Sequence, residues 1–215
     1  MRRRFEPGLF RDVLARRKAG PIGVDPAHPK AAVAAIFRER ADDAEVLLIR
    51  RSKNPNDPWS GHMAFPGGRM DPSDSDLLET VRRETLEEIG LDLREHADLL
   101  GRLDEIPAMA RGKRTALTIA PFVFAVRALP PLVLNHEVDA VVWASLGPLW
   151  SGEAATTLPY GYEDRTIELP GLRVGEDIVW GLTHRMLLNL FAILDAAHEA
   201  GGELATPPPR ASEKQ

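Results

Sequence analysis

An α/β sandwich in a single domain is the fold class this chain's patterning predicts. Three observations carry that reading. Apolar and β-branched runs of strand length recur along the sequence, helical periodicity falls between them, and 215 residues suit one well-packed domain.

The elements follow in order. Glu6–Arg17 reads as a short amphipathic helix with Phe10, Val13 and Leu14 on one side, and Gly20, Pro21, Pro26 and Pro29 mark the loop after it. Ala31–Phe37 and Val46–Arg51 flank the polar Arg38–Asp43 and predict a hairpin. Asn54-Pro55-Asn56-Asp57-Pro58 interrupts the pattern, and a short apolar step, Met63–Phe65, then leads into Pro66-Gly67-Gly68. Asp76–Gly90 is the clearest helix, with Leu78, Val81 and Ile89 sharing a side, Ser73 and Asp74 as cap candidates and Gly90 as its stop. Leu99–Ile106, Leu117–Val126 and Val138–Trp143 read as three more strands, and Ile178–Trp180 as a last one feeding a helix over Thr183–Ala197. The domain is therefore expected over residues 31–200. A helix and loop precede it in residues 1–30, and a tail without apolar content, expected to be disordered, follows in residues 201–215.

Composition excludes several kinds of function. With no cysteine, the chain has neither disulfides nor thiolate metal ligands, so a bound metal would rest on carboxylate, imidazole, carbonyl or water. A net charge of −5 gives no broad attraction to nucleic acid, and none is expected as a partner. The basic start, Met1-Arg-Arg-Arg-Phe-Glu, is not followed by the apolar stretch of an export signal, and no run is long enough to span a membrane. Cytoplasm is the expected compartment. The oligomeric state is not legible, which leaves a homodimer open.

The chemistry concentrates between Phe65 and Leu91. On a helix, residues three and four apart share a face, so Glu84, Glu87 and Glu88 place three carboxylates within little more than one turn. Such a face is usually just solvated, and Arg83 can partner Glu79 and Glu87 across one turn. The glycines change the balance. Gly67 and Gly68 stand directly before the helical segment, where backbone can approach a metal or a phosphate closely. Oxygen-only ligands suit Mg²⁺ or Mn²⁺. Gly68 is expected to leave no room for a Cβ and to need a positive φ. The loop Pro72–Ser75 is expected to tolerate a deletion.

Arg83-Glu84-Thr85-Leu86-Glu87-Glu88-Ile89-Gly90-Leu91 resembles the core of the Nudix box, Arg-Glu-apolar-x-Glu-Glu-x-Gly-apolar, with Thr85 at an apolar position. The resemblance implies a Nudix-type α/β/α sandwich with a mixed central sheet, and hydrolysis of a pyrophosphate bond in a small nucleotide-type substrate. It also implies metal ligation by Glu87 and Glu88, a further ligand or the general base in Glu84, and a contribution from the Gly67 carbonyl. Arg83 would orient the helix through a neighbouring acid. The box normally carries a glutamate where this chain has Ser75; Asp71, Asp74 and Glu79 are the available replacements.

Leu47–Ser52 followed by Gly61–Gly68, and later Val179–Thr183, are similar to the coenzyme A pyrophosphatase subgroup. Here the interval from Lys53 to Ser60 lacks that subgroup's arginine and is one residue longer. Coenzyme A or its thioesters are the implied substrate, with other nucleotides as the alternative.

Arg50, Arg51 and Arg69 are phosphate-binding candidates, because guanidinium meets phosphate in a bidentate fork. Gly68 joins Arg51 and Arg69 in the expected substrate site. Glu105 and Glu137 are loop candidates for the base, each with an ordinary surface role as the simpler reading. His62 reads as structural, Trp59 as cover for the core edge, and Trp143 and Trp180 as core strand residues. Two other functions fit less well. An isomerase on this fold commonly recruits a cysteine, and a non-catalytic binding domain commonly loses box glutamates.

Overall fold

A computed structural model describes residues 7–17, 19–20, 28–41, 43–55, 59–110, 113–162 and 165–204. The expected tail beyond residue 204, and most of the expected loop over residues 18–29, lie outside the described residues.

Helix α1, Pro7–Arg16, opens with the one residue type that suits a first helical position for want of an N–H. Phe10 and Leu14, one turn apart, are both buried. Strands β1, Lys30–Glu39, and β2, Ala44–Arg51, form the expected antiparallel hairpin, with Phe37 opposite Val46. The short β3, Met63–Ala64, and β4, Gly67–Arg69, follow.

Helix α2, Leu77–Ile89, begins at Asp76, whose side chain accepts the Glu79 N–H, and stops at Gly90, with φ of 70°. The cap is therefore Asp76, not Ser73 or Asp74; Asp74 is committed to Arg83. A single turn, α3, Leu93–His96, leads to β5, Ala97–Arg102.

The strand expected over Leu99–Ile106 is two strands, because the chain leaves β5 after Arg102 and re-enters the sheet as β6, Ile106–Ala110. Between them, Asp104 accepts from the Gly20 N–H, and Glu105 pairs with Arg102. The long β7, Lys113–Val126, and then β8, Val138–Ser145, complete the large sheet. Helix α4, Leu146–Ser151, leads to β9, Ala155–Tyr162, and β10, Arg165–Val174. Strand β11, Asp177–Trp180, then feeds α5, Gly181–Leu204, which runs seven residues past the expected Ala197.

The large sheet runs β3-β2-β1-β7-β5, with β4 on β1, β6 on β7 and β8 on β2. Its centre is mixed, since β1 pairs parallel with β7 and antiparallel with β2. Along β1 the side chains alternate between two cores, as strand geometry requires. Ala31, Ala35 and Phe37 join α1, α4 and α5 residues such as Phe10, Leu149 and Leu187. Ala32, Ala34 and Ile36 join Val81 and Ile89 of α2 and Leu93 of α3. The sheet is thus covered on both faces, which explains the nearly continuous apolar run of β1. The architecture is α/β/α.

A second, three-stranded sheet, β11-β10-β9, stands beside it. Of its strands only β11 is expected from the sequence, over Ile178–Trp180. The other two carry Pro159, Gly161, Pro170 and Gly171, residues that read as punctuation and not as strand. Among the described residues no helix is long and apolar enough to cross a membrane.

Because Phe10 is almost fully buried in the main core, Phe10→Ala is expected to lower the unfolding free energy by about 3–5 kcal/mol. Chemical denaturation checks this, and an unchanged midpoint would mean that α1 is not part of the cooperative unit.

Candidate active site

The site begins with a shared strand edge. One edge of β1 pairs with β2 over Phe37–Glu39 and with β4 over Ala31–Val33. Two further backbone bonds, Ala34 N–H to the Pro66 carbonyl (2.8 Å) and Met70 N–H to the Lys30 carbonyl (2.9 Å), bracket β4. The Gly67-Gly68 backbone is thereby held between β1 and the carboxylates of α2.

Each glycine has its own reason. Gly67 has φ of 141°, and a Cβ there would run into the Ala32 carbonyl and lie 2.6 Å from the Val33 Cα. At Gly68 a Cβ would lie 2.6 Å from Glu84 Oε1. Positive φ thus falls on Gly67, whereas at Gly68 a side chain would have to move the Glu84 carboxylate aside.

Glu88 is buried, with 2% of its surface exposed, and Gly67 N–H donates to its Oε2 at 2.8 Å. Burial pushes the Glu88 carboxyl up to about 8, with Glu84 and Glu137 adding to the rise; the Gly67 N–H and the Arg51 guanidinium, 3.8 Å away, oppose it. Glu84, half-buried, is also raised, by burial first and then by Glu87 and Glu137, against the pull of Arg83 at 3.0 Å. Glu87 is exposed and meets Arg83 at 3.2 Å.

Arg83 ties this cluster to the loop before the helix. Its Nε and Nη2 donate to the two oxygens of Asp74 at 2.9 and 3.0 Å, and Nη2 also donates to the Arg69 carbonyl at 3.2 Å. The Arg83 guanidinium holds the Asp74 carboxyl well below the usual carboxylate range. Of the three acids considered for the position of Ser75, Asp74 is the one the helix arginine grips. The loop is knitted internally as well: Asp71 N–H donates to Asp74 and Ser73 Oγ donates to Asp71. These bonds span Pro72–Ser75, so deleting Ser73 or Asp74 would remove a partner of one of them.

The three glutamates are not gathered into a closed cluster. Among the described residues no group of three His, Cys, Asp or Glu side chains is close enough to hold a metal ion. Arg83 draws Glu84 and Glu87 to itself, while Glu88 turns to Gly67. The donor chemistry nevertheless fits a hard divalent cation, since a buried and a half-buried acid, both raised by burial and by neighbouring carboxylates, gain most from a neutralising charge.

The remaining candidates separate clearly. Arg50 is committed to Asp177 at 2.6 Å, so it is not placed for phosphate. Arg51 and Arg69 line a cavity of about 1010 Å³ that Gly67, Gly68 and Glu84 also line. Glu137 lines this cavity; Glu105 is buried and paired with Arg102. His62 and Trp59 reach the cavity wall, and so does Trp180, which had read as a core strand residue. The Trp180 ring lies 4.5 Å from that of His62 and 5.4 Å from that of Tyr160. Trp143 instead sits under Arg38, whose guanidinium carbon is 3.9 Å from the ring centre. Of the far wall, the sequence points only to the Val179–Thr183 segment. Tyr160, Ile167 and Leu169 of the second sheet and His184 of α5 contribute to this wall too, and recognition of the β9–β10 hairpin was the one signal leading there.

Residues 27–160, more than half of the chain, match the family profile described as NUDIX domain. The chain belongs to the Nudix family. It is 34% identical over 144 residues to the mitochondrial coenzyme A diphosphatase NUDT8 of Homo sapiens, covering 64% of this chain and 58% of that protein. It is 43% identical over 116 residues to the uncharacterized protein C14C4.10c of Schizosaccharomyces pombe, covering 53% of this chain and 35% of that one. The chain thus spans about a third to three fifths of the length of these two relatives. Among solved structures, a MutT/nudix family protein from Enterococcus faecalis shares the Nudix fold at a TM-score of 0.55 and 17% identity, over 90% of this chain and 76% of that one.

Two outcomes follow from this geometry. A carboxyl raised on folding favours the folded state only below the ordinary value of about 4.3, and its burden grows as pH climbs towards the folded value of about 8. Glu88→Gln keeps an oxygen for the Gly67 N–H and removes the burden. It should therefore raise the thermal midpoint in chelator at about pH 8 by several degrees, with the gain fading towards pH 4; a lower midpoint at pH 8 would contradict the burial argument. Gly68→Ala should displace only the mobile end of Glu84, reducing turnover about tenfold or more at nearly unchanged stability. Gly67→Ala meets backbone and should lose both. Thermal midpoint and turnover, measured side by side, separate the two glycines.

Proposed function

We propose that this Nudix chain is a divalent-cation-dependent hydrolase that cleaves the pyrophosphate bond of coenzyme A or its thioesters. The observation that carries the reading is the placement of Glu84 and Glu88 against the Gly67-Gly68 backbone, beside a cavity of about 1010 Å³. Nudix hydrolases generally use divalent cations. Glu84, Glu87, Glu88 and the Gly67 carbonyl are the groups we assign to hold one, Mg²⁺ or Mn²⁺ by their oxygen chemistry. Such an ion supplies charge neutralisation for the diphosphate and acidifies bound water.

The chain's own residues would do the rest. Arg51 and Arg69 would bind and orient the phosphate oxygens with guanidinium forks. Arg83, fixed by Asp74, would hold Glu84 and Glu87 in reach of the same spot. A carboxylate oxygen of Glu137, on the cavity wall, would accept the proton of the attacking water, leaving Glu84 to the ion.

Two features support coenzyme A. The human relative is named a coenzyme A diphosphatase. The segments resembling that subgroup also meet around one cavity, which Arg51, His62, Gly68, Trp180, Leu182 and Thr183 all line.

With Mg²⁺, coenzyme A should give 4′-phosphopantetheine and adenosine 3′,5′-bisphosphate, resolved by mass, and chelator should abolish the reaction. Glu87→Gln and Glu88→Gln should each lower turnover by about 100-fold or more with the fold intact. Near-normal turnover in both variants would remove the site assignment. Much higher kcat/KM for sugar nucleotides or nucleoside triphosphates would remove coenzyme A alone.

A further inference from the structure

The cavity wall away from the carboxylates is mixed: apolar side chains predominate, and Arg165 of β10 and Arg185 of α5 also line it. Ile167 and Leu169 of β10 and Leu182 and Met186 of α5 contribute to it, together with Leu117 and Ile119 of β7. In this wall stands His184, only 8% exposed and lining the cavity. Among the described residues its imidazole makes no hydrogen bond or ion pair, yet its ring nitrogens are not sealed inside the protein. The residue that carries them lines the cavity, so the cavity is where a partner can reach them. A buried polar ring without a protein partner is an unsatisfied group, and such groups generally serve a ligand or a water. Burial lowers the basicity of His184, which keeps the ring neutral at physiological pH, with one nitrogen donating and the other accepting.

This chemistry limits what the ring can recognise. A phosphate is met by cations, Arg51 and Arg69 near the carboxylates and Arg165 and Arg185 on the other wall, and a neutral imidazole adds little beside them. A sugar would leave several hydroxyls against apolar side chains, each short of a partner. A long, mostly apolar chain interrupted by an amide matches the apolar side chains around His184 and its neutral ring.

We propose that His184 is a specificity-determining residue that hydrogen-bonds an uncharged amide or carbonyl on the non-nucleotide arm of the substrate. The inference rests on the reading above in placing the diphosphate at Gly67–Glu88. The arm then extends along the wall formed by β10 and the start of α5, a wall that lies outside the Nudix box.

The test uses the full chain, wild type and with His184→Ala or His184→Gln. Calorimetry measures the binding of pantetheine, which has the amide arm without phosphate, and of ADP, which has the diphosphate without the arm. His184→Ala should weaken pantetheine at least tenfold, and should weaken ADP by at least tenfold less than it weakens pantetheine. It should also raise KM for coenzyme A about tenfold with little change in kcat. His184→Gln, which can still donate and accept, should restore most of the pantetheine affinity. The proposal is overturned if the wild-type protein does not bind pantetheine, if His184→Ala binds it as wild type does, or if His184→Gln is as poor as alanine. Pantetheine binding that depends on His184 in a chain that leaves coenzyme A uncleaved would sustain this inference and overturn the proposed reaction instead.

Discussion

The hydrogen bond from the Gly67 amide to the Glu88 carboxylate joins the two halves of this site. It ties β4 to α2, and β4 is in turn zipped to β1 in the centre of the large sheet. A carboxylate this deeply buried is an unfavourable element of any fold, and one backbone donor with a guanidinium at 3.8 Å compensates it only in part. The structure holds this acid because the helix is anchored from both ends. Asp76 and Gly90 cap it, and Val81 and Ile89 fasten its inner face to the sheet. Stability supplied by the sandwich is drawn down at the point where charge has to be concentrated.

Around that point the arginines have divided roles. Arg83 serves as a local frame, gripping Asp74, Glu84 and Glu87 and reaching the Arg69 carbonyl. Arg50 fastens β2 to β11 through Asp177, bringing the second sheet against the first. Arg51, the next residue, points its charge towards Glu88. The contrast falls where the ladder between β2 and β8 shifts register, between Arg50 and Arg51, an irregularity of the kind that re-aims side chains.

Much of this was readable from residues alone, and the limits have physical causes. The β1–β2 hairpin and α2 declared themselves because their apolar positions follow one period over many residues. The glutamates and the glycine pair were legible as types at a spacing. Their arrangement was not: spacing put three acids on one helix face, whereas burial separates Glu88 from the exposed Glu87 and Arg83 pulls Glu84 and Glu87 aside. The stand-in for the acid at Ser75 was narrowed to three residues, and only a tertiary contact selects Asp74. The part of the cavity's far wall that β9 and β10 form escaped notice because both strands are rich in proline and glycine and largely exposed, so hydrophobic periodicity does not mark them. Trp180 read as core for a related reason, since an aromatic residue on a strand looks the same whether its ring faces protein or a cavity.

The alanines of β1 have a consequence beyond packing. Ala32 lies in the helix-facing core, its carbonyl lies where a Gly67 side chain would be, and it pairs with Gly68 in the ladder. Backbone and side chain of one small core residue therefore meet the cradle and the layer beneath α2 together. Enlarging that residue would push the helix outward and the glycine loop sideways in one movement. Variation that elsewhere in a core alters only robustness would here alter reactivity, so the interior of this strand is expected to evolve under the same constraint as the loop it supports.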